Sequence, residues 1–261
     1  MSALRQNDRD RGVTSTKTSA LVASSFVFLV MMSGCSSIER SLLYYPTHSP
    51  ETNGLAPWVS DGTTIGYSRT VASPKNVWLM LHGNAGQASS RAYAIHCFSS
   101  EDSVFILEYP GYGNRKGVPS KESLDHAAKE AYLSLRERFP GTPVCVVGES
   151  IGSGPAASLA SLSRPPDKYV LVVPFDKLSL VAREHLPGIL VSLLLTDNWD
   201  NVAAFANYKG PVEIYGAKSD SVIPVSHARA LSAAVPSSKF ILIDGGHNDW
   251  SRQNAVRIRN P

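Results

Sequence analysis

The sequence predicts an α/β protein with a mostly parallel central sheet covered on both faces by helices and carrying a minimal cap. Three observations lead there. Six short apolar runs, rich in β-branched residues, recur at Asn76–Leu81, Val104–Tyr109, Pro143–Val147, Tyr169–Val173, Val212–Tyr215 and Phe240–Ile243. Helix-like stretches separate them, and near-continuous apolar strands alternating with helices describe a parallel sheet buried on both sides. The chain has 261 residues with 43% hydrophobic and 18% charged residues, enough apolar material for a large core and too little charge for a disordered chain.

Ahead of the first parallel strand, residues 52–72 are rich in Gly and Thr, with Ile65, Tyr67 and Val71 alternating, and read as an antiparallel hairpin. A helix is marked over Ser120–Phe139. Pro119 and Ser120 open it, Pro140 and Gly141 close it, and Ala127, Ala128, Ala131, Leu133 and Leu135 supply its apolar residues. Another helix ends near Cys97. Cys97 and Cys145 read as small buried hydrophobes, with a disulfide between them only a minor alternative. No internal repeat or low-complexity linker divides residues 36–261, so a single domain is expected.

The first 34 residues form a different kind of segment. Arg5, Arg9, Arg11 and Lys17 precede the apolar run Ala20–Met32, and small residues Ser33 and Gly34 lead to Cys35. Basic, apolar and small-residue zones in that order describe a signal peptide. Met32-Ser33-Gly34-Cys35 resembles a bacterial lipobox, although Met32 departs from the usual Leu. The resemblance implies cleavage before Cys35, a lipid on that cysteine and, from Ser36, an outer-membrane destination in a Gram-negative cell. The competing reading is an uncleaved anchor, because the uncharged stretch Thr18–Ile38 is 21 residues long. Both place the domain outside the cytoplasm and at a membrane. The expected organisation is therefore a signal peptide over 1–34, a lipidated Cys35 and tether over 35–50, and a catalytic domain over 51–261.

Ligands of such sheets sit beyond the carboxyl ends of the strands. Strand Val144–Val147 runs into Gly148-Glu149-Ser150-Ile151-Gly152, and a small-residue helix follows at once. This is G-x-S-x-G between a strand and a helix, the setting in which a sharp turn exposes a nucleophilic serine. Composition alone would produce the bare pattern in roughly one chain in five, so the setting carries the argument. A serine hydroxyl needs a base to take its proton and an acid to orient that base. Asp220 follows strand Val212–Tyr215, and His247 follows Phe240–Ile243. Singly, they read as a turn aspartate and a loop histidine. Together with Ser150, at three strand ends, they read as a Ser-His-Asp set.

The loop after Asn76–Leu81 reads His82-Gly83-Asn84-Ala85-Gly86. Backbone amides of Asn84, or its neighbour Ala85, and of Ile151 are the expected oxyanion donors, each typically worth about 3 kcal/mol in the transition state. His82 reads as a structural group that fixes the loop. Glu149 either raises the pKa of the base or meets a surface cation, and the weakness of surface ion pairs makes the second the simpler reading.

These motifs, HGNAG at 82–86, YPGYG at 109–113, GESIGSG at 148–154, Pro174 and Phe175, DSVIP at 220–224 and GHND at 246–249, resemble those of small α/β-hydrolases of the serine-aminopeptidase-like and acyl-protein-thioesterase-like group. The order Ser150, Asp220, His247 is that family's order. The resemblance covers about residues 40–250 and implies an α/β-hydrolase fold and acyl transfer through a covalent intermediate. Arg115 stands where a serine commonly follows the GYG turn, and the short stretch after His247 leaves room for only a short final helix.

The expected activity is cleavage of an ester or thioester in a small acyl substrate. A serine exopeptidase is the alternative enzyme, and a lipid-anchored binding protein with little turnover the alternative of another class. The apolar stretch Leu186–Leu195 reads first as a helix packed on the sheet edge and second as an acyl-chain wall or membrane-facing surface. No cofactor is expected. The seven histidines include no H-E-x-x-H, and the cysteines lack C-x-x-C spacing, so no metal site is expected either. A net charge of +3 without a basic block does not support nucleic-acid binding.

Overall fold

A computed structural model describes residues 39–49, 54–252 and 255–259. The signal peptide, Cys35 and the stretch Thr18–Ile38 lie outside the described residues.

Asp61 and Gly62 both adopt positive φ (47° and 73°) and fold β1 (Ala56–Ser60) back on β2 (Thr63–Arg69). Two such residues between antiparallel strands match the right-handed strand twist. The sheet continues through β3 (Val77–Leu81), β4 (Ser103–Leu107), β5 (Val144–Glu149), β6 (Tyr169–Val172), β7 (Val212–Ala217) and β8 (Ser238–Ile243). Its spatial order is β1-β2-β4-β3-β5-β6-β7-β8. The first two pairings in that order are antiparallel and the remaining five parallel.

Every residue of β3 to β6 is buried, as expected of strands covered on both faces. Alternation divides them between two cores: Val77, Leu79 and Leu81 point to one, Trp78 and Met80 to the other. The first is closed by α1 (Lys121–Arg138), α2 (Ser153–Ser158) and, later in the chain, α6 (Val225–Ala234). Ser120 caps α1 by accepting from the Ser123 amide at 3.1 Å while the Ser123 hydroxyl accepts from the Ser120 amide. That helix matches the sequence reading to within one residue at each end, but Leu133 is 42% exposed, because at a helical period it turns away from the face shared by Leu124, Ala127, Ala128, Ala131 and Leu135.

The second core keeps the helix expected to end near Cys97 and brings the stretch after His247 into the packing. A 3-10 helix, Ala88–Cys97, connects β3 to β4. Of the short final helix expected after His247, the described residues show Arg252 in a 3-10 turn, and residues 255–259 carry no regular secondary structure: Val256 and Ile258 are buried among Trp78, Trp250 and Cys97, and the Ile258 amide bonds to the Cys97 carbonyl at 2.9 Å. Burial alternates along Val256-Arg257-Ile258-Arg259, the two apolar side chains inward and the two arginines outward. Cys97 and Cys145 are both free and buried, and desolvation pushes their thiols up to about 11 and about 12.

Between β6 and β7 lie α3 (Leu178–His185), α4 (Gly188–Leu194) and α5 (Asn201–Phe205). The first two form the small cap. Residues 39–49, assigned from sequence to a tether, pack onto the domain. Tyr44 is buried, Pro46 bridges Gly86, and the Thr47 carbonyl accepts from the Gly113 amide at 2.9 Å. Among the described residues no helix is long and apolar enough to cross a membrane.

Candidate active site

Ser150 follows β5 directly and is held at φ 54°, a left-handed conformation that a serine adopts only under constraint. Close approach of neighbouring elements imposes it. A Cβ on Gly152 would sit 2.1 Å from the Leu81 carbonyl oxygen, and one on Gly148 would sit 2.8 Å from the Ser153 Cα and 2.9 Å from the Ala156 Cβ. Both flanking glycines are therefore required for β5, the turn and α2 to meet the end of β3.

The three sequence-predicted side chains come together. His247 Nε2 is 2.8 Å from Ser150 Oγ, and His247 Nδ1 is 2.7 Å from Asp220 Oδ2. The other carboxylate oxygen of Asp220 accepts from the Val222 and Ile223 amides at 2.9 and 2.8 Å. Those two bonds fix the carboxylate plane, so the oxygen facing His247 accepts Nδ1–H and leaves Nε2 free to receive the serine proton.

Asn84 and Ile151 line the same cavity as Ser150 and His247. The Gly83 amide is engaged elsewhere, donating to Glu149 Oε2 at 2.9 Å, which leaves the amides of Asn84 and Ala85 as the loop's donors. The Asn84 side chain anchors the loop on one side. Its Oδ1 accepts from the Tyr45 amide at 3.1 Å and the Tyr112 hydroxyl at 2.9 Å, and its Nδ2 donates to the Leu43 carbonyl.

On the other side the loop is clamped by two residues whose joint role the sequence did not disclose. Arg91 donates to the carbonyls of Gly83, at 3.1 Å, and Ala85, the residues flanking Asn84. Glu149 is not the surface group expected. Only 4% exposed, it accepts from the Gly83 amide, Tyr93 hydroxyl and Trp250 indole, and lies 3.9 Å from Arg91. Burial alone would raise its pKa, but Arg91, the Gly83 amide and Trp250 outweigh it and hold the carboxyl below the ordinary carboxylate range. Glu149 is therefore a charged brace beneath the loop.

His82 is fully buried, with Nδ1 2.7 Å from the Gly83 carbonyl and its ring packed on Tyr109 at 4.4 Å between centroids. That is a structural position. A second Asp-His pair, Asp176 and His227 at 2.7 Å, ties the loop after β6 to α6.

The cavity has a volume of about 610 Å³. Its far walls are apolar: Leu43 from the N-terminal segment, Phe175 after β6, Leu178 and Val181 from α3, and Val191 from α4. Spacing of i, i+3, i+4 and i+7 puts Leu178, Val181, Ala182 and His185 on one face of α3, all toward the cavity. Leu186, Leu190, Val191 and Leu195 also line it, so one side of the apolar 186–195 stretch forms a cavity wall, while Ile189 points away at 72% exposed. Among the described residues no cluster of three or more His, Cys, Asp or Glu is arranged to hold a metal.

A strained serine at a strand-turn-helix elbow, with acid and base at two later strand ends of an eight-stranded sheet, defines the α/β-hydrolase class. The comparisons agree. The chain is 30% identical over 247 residues to the uncharacterised protein Rv2307c of Mycobacterium tuberculosis, covering 88% of this chain and 86% of that one. It is 28% identical over 195 residues to the lysophosphatidylserine lipase ABHD12 of Mus musculus, covering 67% of this chain and 49% of ABHD12. Among solved structures, the Pyrococcus furiosus esterase Pf2001 has a TM-score of 0.60 at 13% identity, over 80% of this chain and 92% of that one. TT1662 from Thermus thermophilus has a TM-score of 0.58 at 19% identity, over 77% and 93%. These structures share the fold. No family model matches. The chain belongs to the α/β-hydrolase superfamily.

Proposed function

We propose that the protein is a membrane-tethered serine hydrolase that cleaves a carboxylic ester or thioester of an apolar acyl group. The observation that carries this reading is the continuous relay Asp220, His247, Ser150, with contacts of 2.7 and 2.8 Å, at one end of a largely apolar cavity.

Ser150 Oγ attacks the acyl carbonyl carbon while its proton passes to His247 Nε2. The carbonyl oxygen gains negative charge between the Asn84 and Ile151 amides. Collapse of the tetrahedral intermediate breaks the bond to the alcohol or thiol, and His247 gives that leaving group its proton. Water, deprotonated by the same imidazole, then attacks the acyl-serine, and a second collapse frees the acid and restores Ser150. Asp220 keeps the imidazole in the receptive tautomer and stabilises the imidazolium.

The cavity supports an acyl group over a peptide amine. Glu39 and Glu149 both line it, but Glu39 accepts from the Thr196 and Asp197 amides at 2.6 and 2.7 Å, and Glu149 is committed to the oxyanion loop. Neither carboxylate is available to hold an α-ammonium group. The lipase activity named for ABHD12 is consistent with the same class of ester. Tethering rests on the N-terminal sequence, Cys35 as a lipidated residue or Thr18–Ile38 as an anchor.

A fluorophosphonate probe is expected to label the wild-type protein and not Ser150→Ala, read as gel fluorescence. A wild type that folds and never labels would favour a binding protein on a hydrolase fold.

A further inference from the structure

We propose that the rim of the acyl cavity is a bilayer-docking surface, so that the catalytic mouth rests on the membrane and takes an acyl amphiphile directly from it. This rests on the hydrolase reading for the passenger and on the tethering reading for the geometry.

The rim is apolar where a solvated mouth would be polar. Leu42, Tyr45, Leu186, Leu190 and Val222 all line the cavity and are all more than 40% exposed. Ile189, one residue before Leu190 on α4, is 72% exposed and is not part of the lining. Exposed apolar residues scattered singly are ordinary, but a group gathered round one opening marks an interaction surface. These residues come from the N-terminal segment, the cap and the loop after Asp220.

The place where the chain enters the fold identifies what covers that surface. Glu39, the first described residue, itself lines the cavity, and its buried carboxylate is bonded to Thr196 and Asp197 just past α4. Directly upstream lies Thr18–Ile38, uncharged throughout. At no more than about 3.5 Å per residue, a lipidated Cys35 lies within about 14 Å of Glu39, and Met32, the end of the apolar run, within about 25 Å. The tether is thus shorter than the domain is wide. Whichever form it takes, it brings the cavity end of the sheet to the bilayer and cannot let the mouth turn to the opposite side. An apolar rim held at that distance buries its side chains among the lipids, Ile189 and Leu186 leading. The acyl chain then passes from bilayer to cavity without crossing water.

The experiment uses the full chain in phosphatidylcholine vesicles. In the first arm, Ser150→Ala protein is irradiated with a diazirine-bearing phosphatidylcholine, and adducts are mapped by peptide mass spectrometry. Adducts at residues 42–45 and 186–190, with none at 203–210 beside the opposite ends of the strands, are expected. Adducts spread evenly or concentrated at 203–210 would overturn the proposal, as would a chain that stays in the aqueous fraction. The second arm compares hydrolysis of a long-chain ester within the vesicles with that of dissolved p-nitrophenyl butyrate. Ile189→Glu is expected to slow the first about tenfold, the equivalent of one lost apolar anchor, and to leave the second within about twofold. Ile189→Leu restores the first. Equal loss of both rates, or loss of neither, contradicts docking. Should the wild type fail to label with fluorophosphonate while lipid adducts stay at the rim, the hydrolase reading falls and the surface stands.

Discussion

Replacing His247 by alanine is expected to lower kcat for ester hydrolysis by roughly 10⁴ to 10⁶-fold with little change in KM. The imidazole is the sole base within hydrogen-bond distance of Ser150 Oγ among the described residues, at 2.8 Å, and without it the hydroxyl must attack with its proton in place. Asp220→Asn is expected to cost about 10⁴-fold by a different route. An asparagine that keeps the Val222 and Ile223 amides on its oxygen presents NH₂ to His247 Nδ1. The imidazole then carries its proton on Nε2, where it opposes the serine proton. Because the three residues act as one unit, Ser150→Ala combined with His247→Ala should be no slower than the worse single variant. Steady-state kinetics on a dissolved ester read all four proteins, and a double variant much slower than either single would mean that the residues act separately.

Glu149→Ala carries the largest expected cost in stability. It removes the acceptor of the Gly83 amide, leaves the Trp250 indole without its oxygen, and strands Arg91, whose side chain is 11% exposed, without its counter-charge. Breaking a buried pair from one side typically costs about 3 to 5 kcal/mol, a drop in Tm on the order of 10 °C for a domain of this size. The oxyanion loop loses a brace at the same time, so kcat should fall even at temperatures where the variant is folded. The pH dependence has a definite sign. A carboxyl whose folded pKa is depressed adds stability in full above its unfolded value, near 4.5, and loses it as pH falls through the lower folded value. The deficit of Glu149→Ala relative to wild type should therefore be largest above pH 5 and shrink below about pH 4. Thermal unfolding across that range measures it, and a deficit independent of pH would remove the charge from the account.

Ser150 and Glu149 are neighbours in one pentapeptide, and the sequence disclosed them unequally. Ser150 was legible because its elbow demands glycines on both sides and a strand and helix around it, all local features. Asp220 and His247 were legible because each follows a recognisable strand. The role of Glu149 was not, because burial depends on Trp250 and Tyr93, which lie 101 and 56 residues away along the chain. Arg91 was hidden for the same reason: its bonds to the loop are to backbone carbonyls, which leave no mark in side-chain patterns. Val256 and Ile258 are buried against Trp78 and Trp250, contacts that the sequence of the short stretch after His247 does not announce. Residues 39–49 gave no periodic signal at all, since their place is set by Asn84, Gly86 and Gly113 across the fold. The apolar stretch 186–195 was readable as a helix, but only the tertiary position of the cap shows that Leu186, Leu190 and Val191 face the cavity.

Acylation of Ser150 itself tests the central claim most directly. Mixing the protein with p-nitrophenyl acetate and quenching within the first turnover should give a burst of nitrophenolate approaching one equivalent per chain. Peptide mass spectrometry should then find the acetyl group on Ser150. Turnover that persists in Ser150→Ala, or an acetyl group found on another residue, would contradict it.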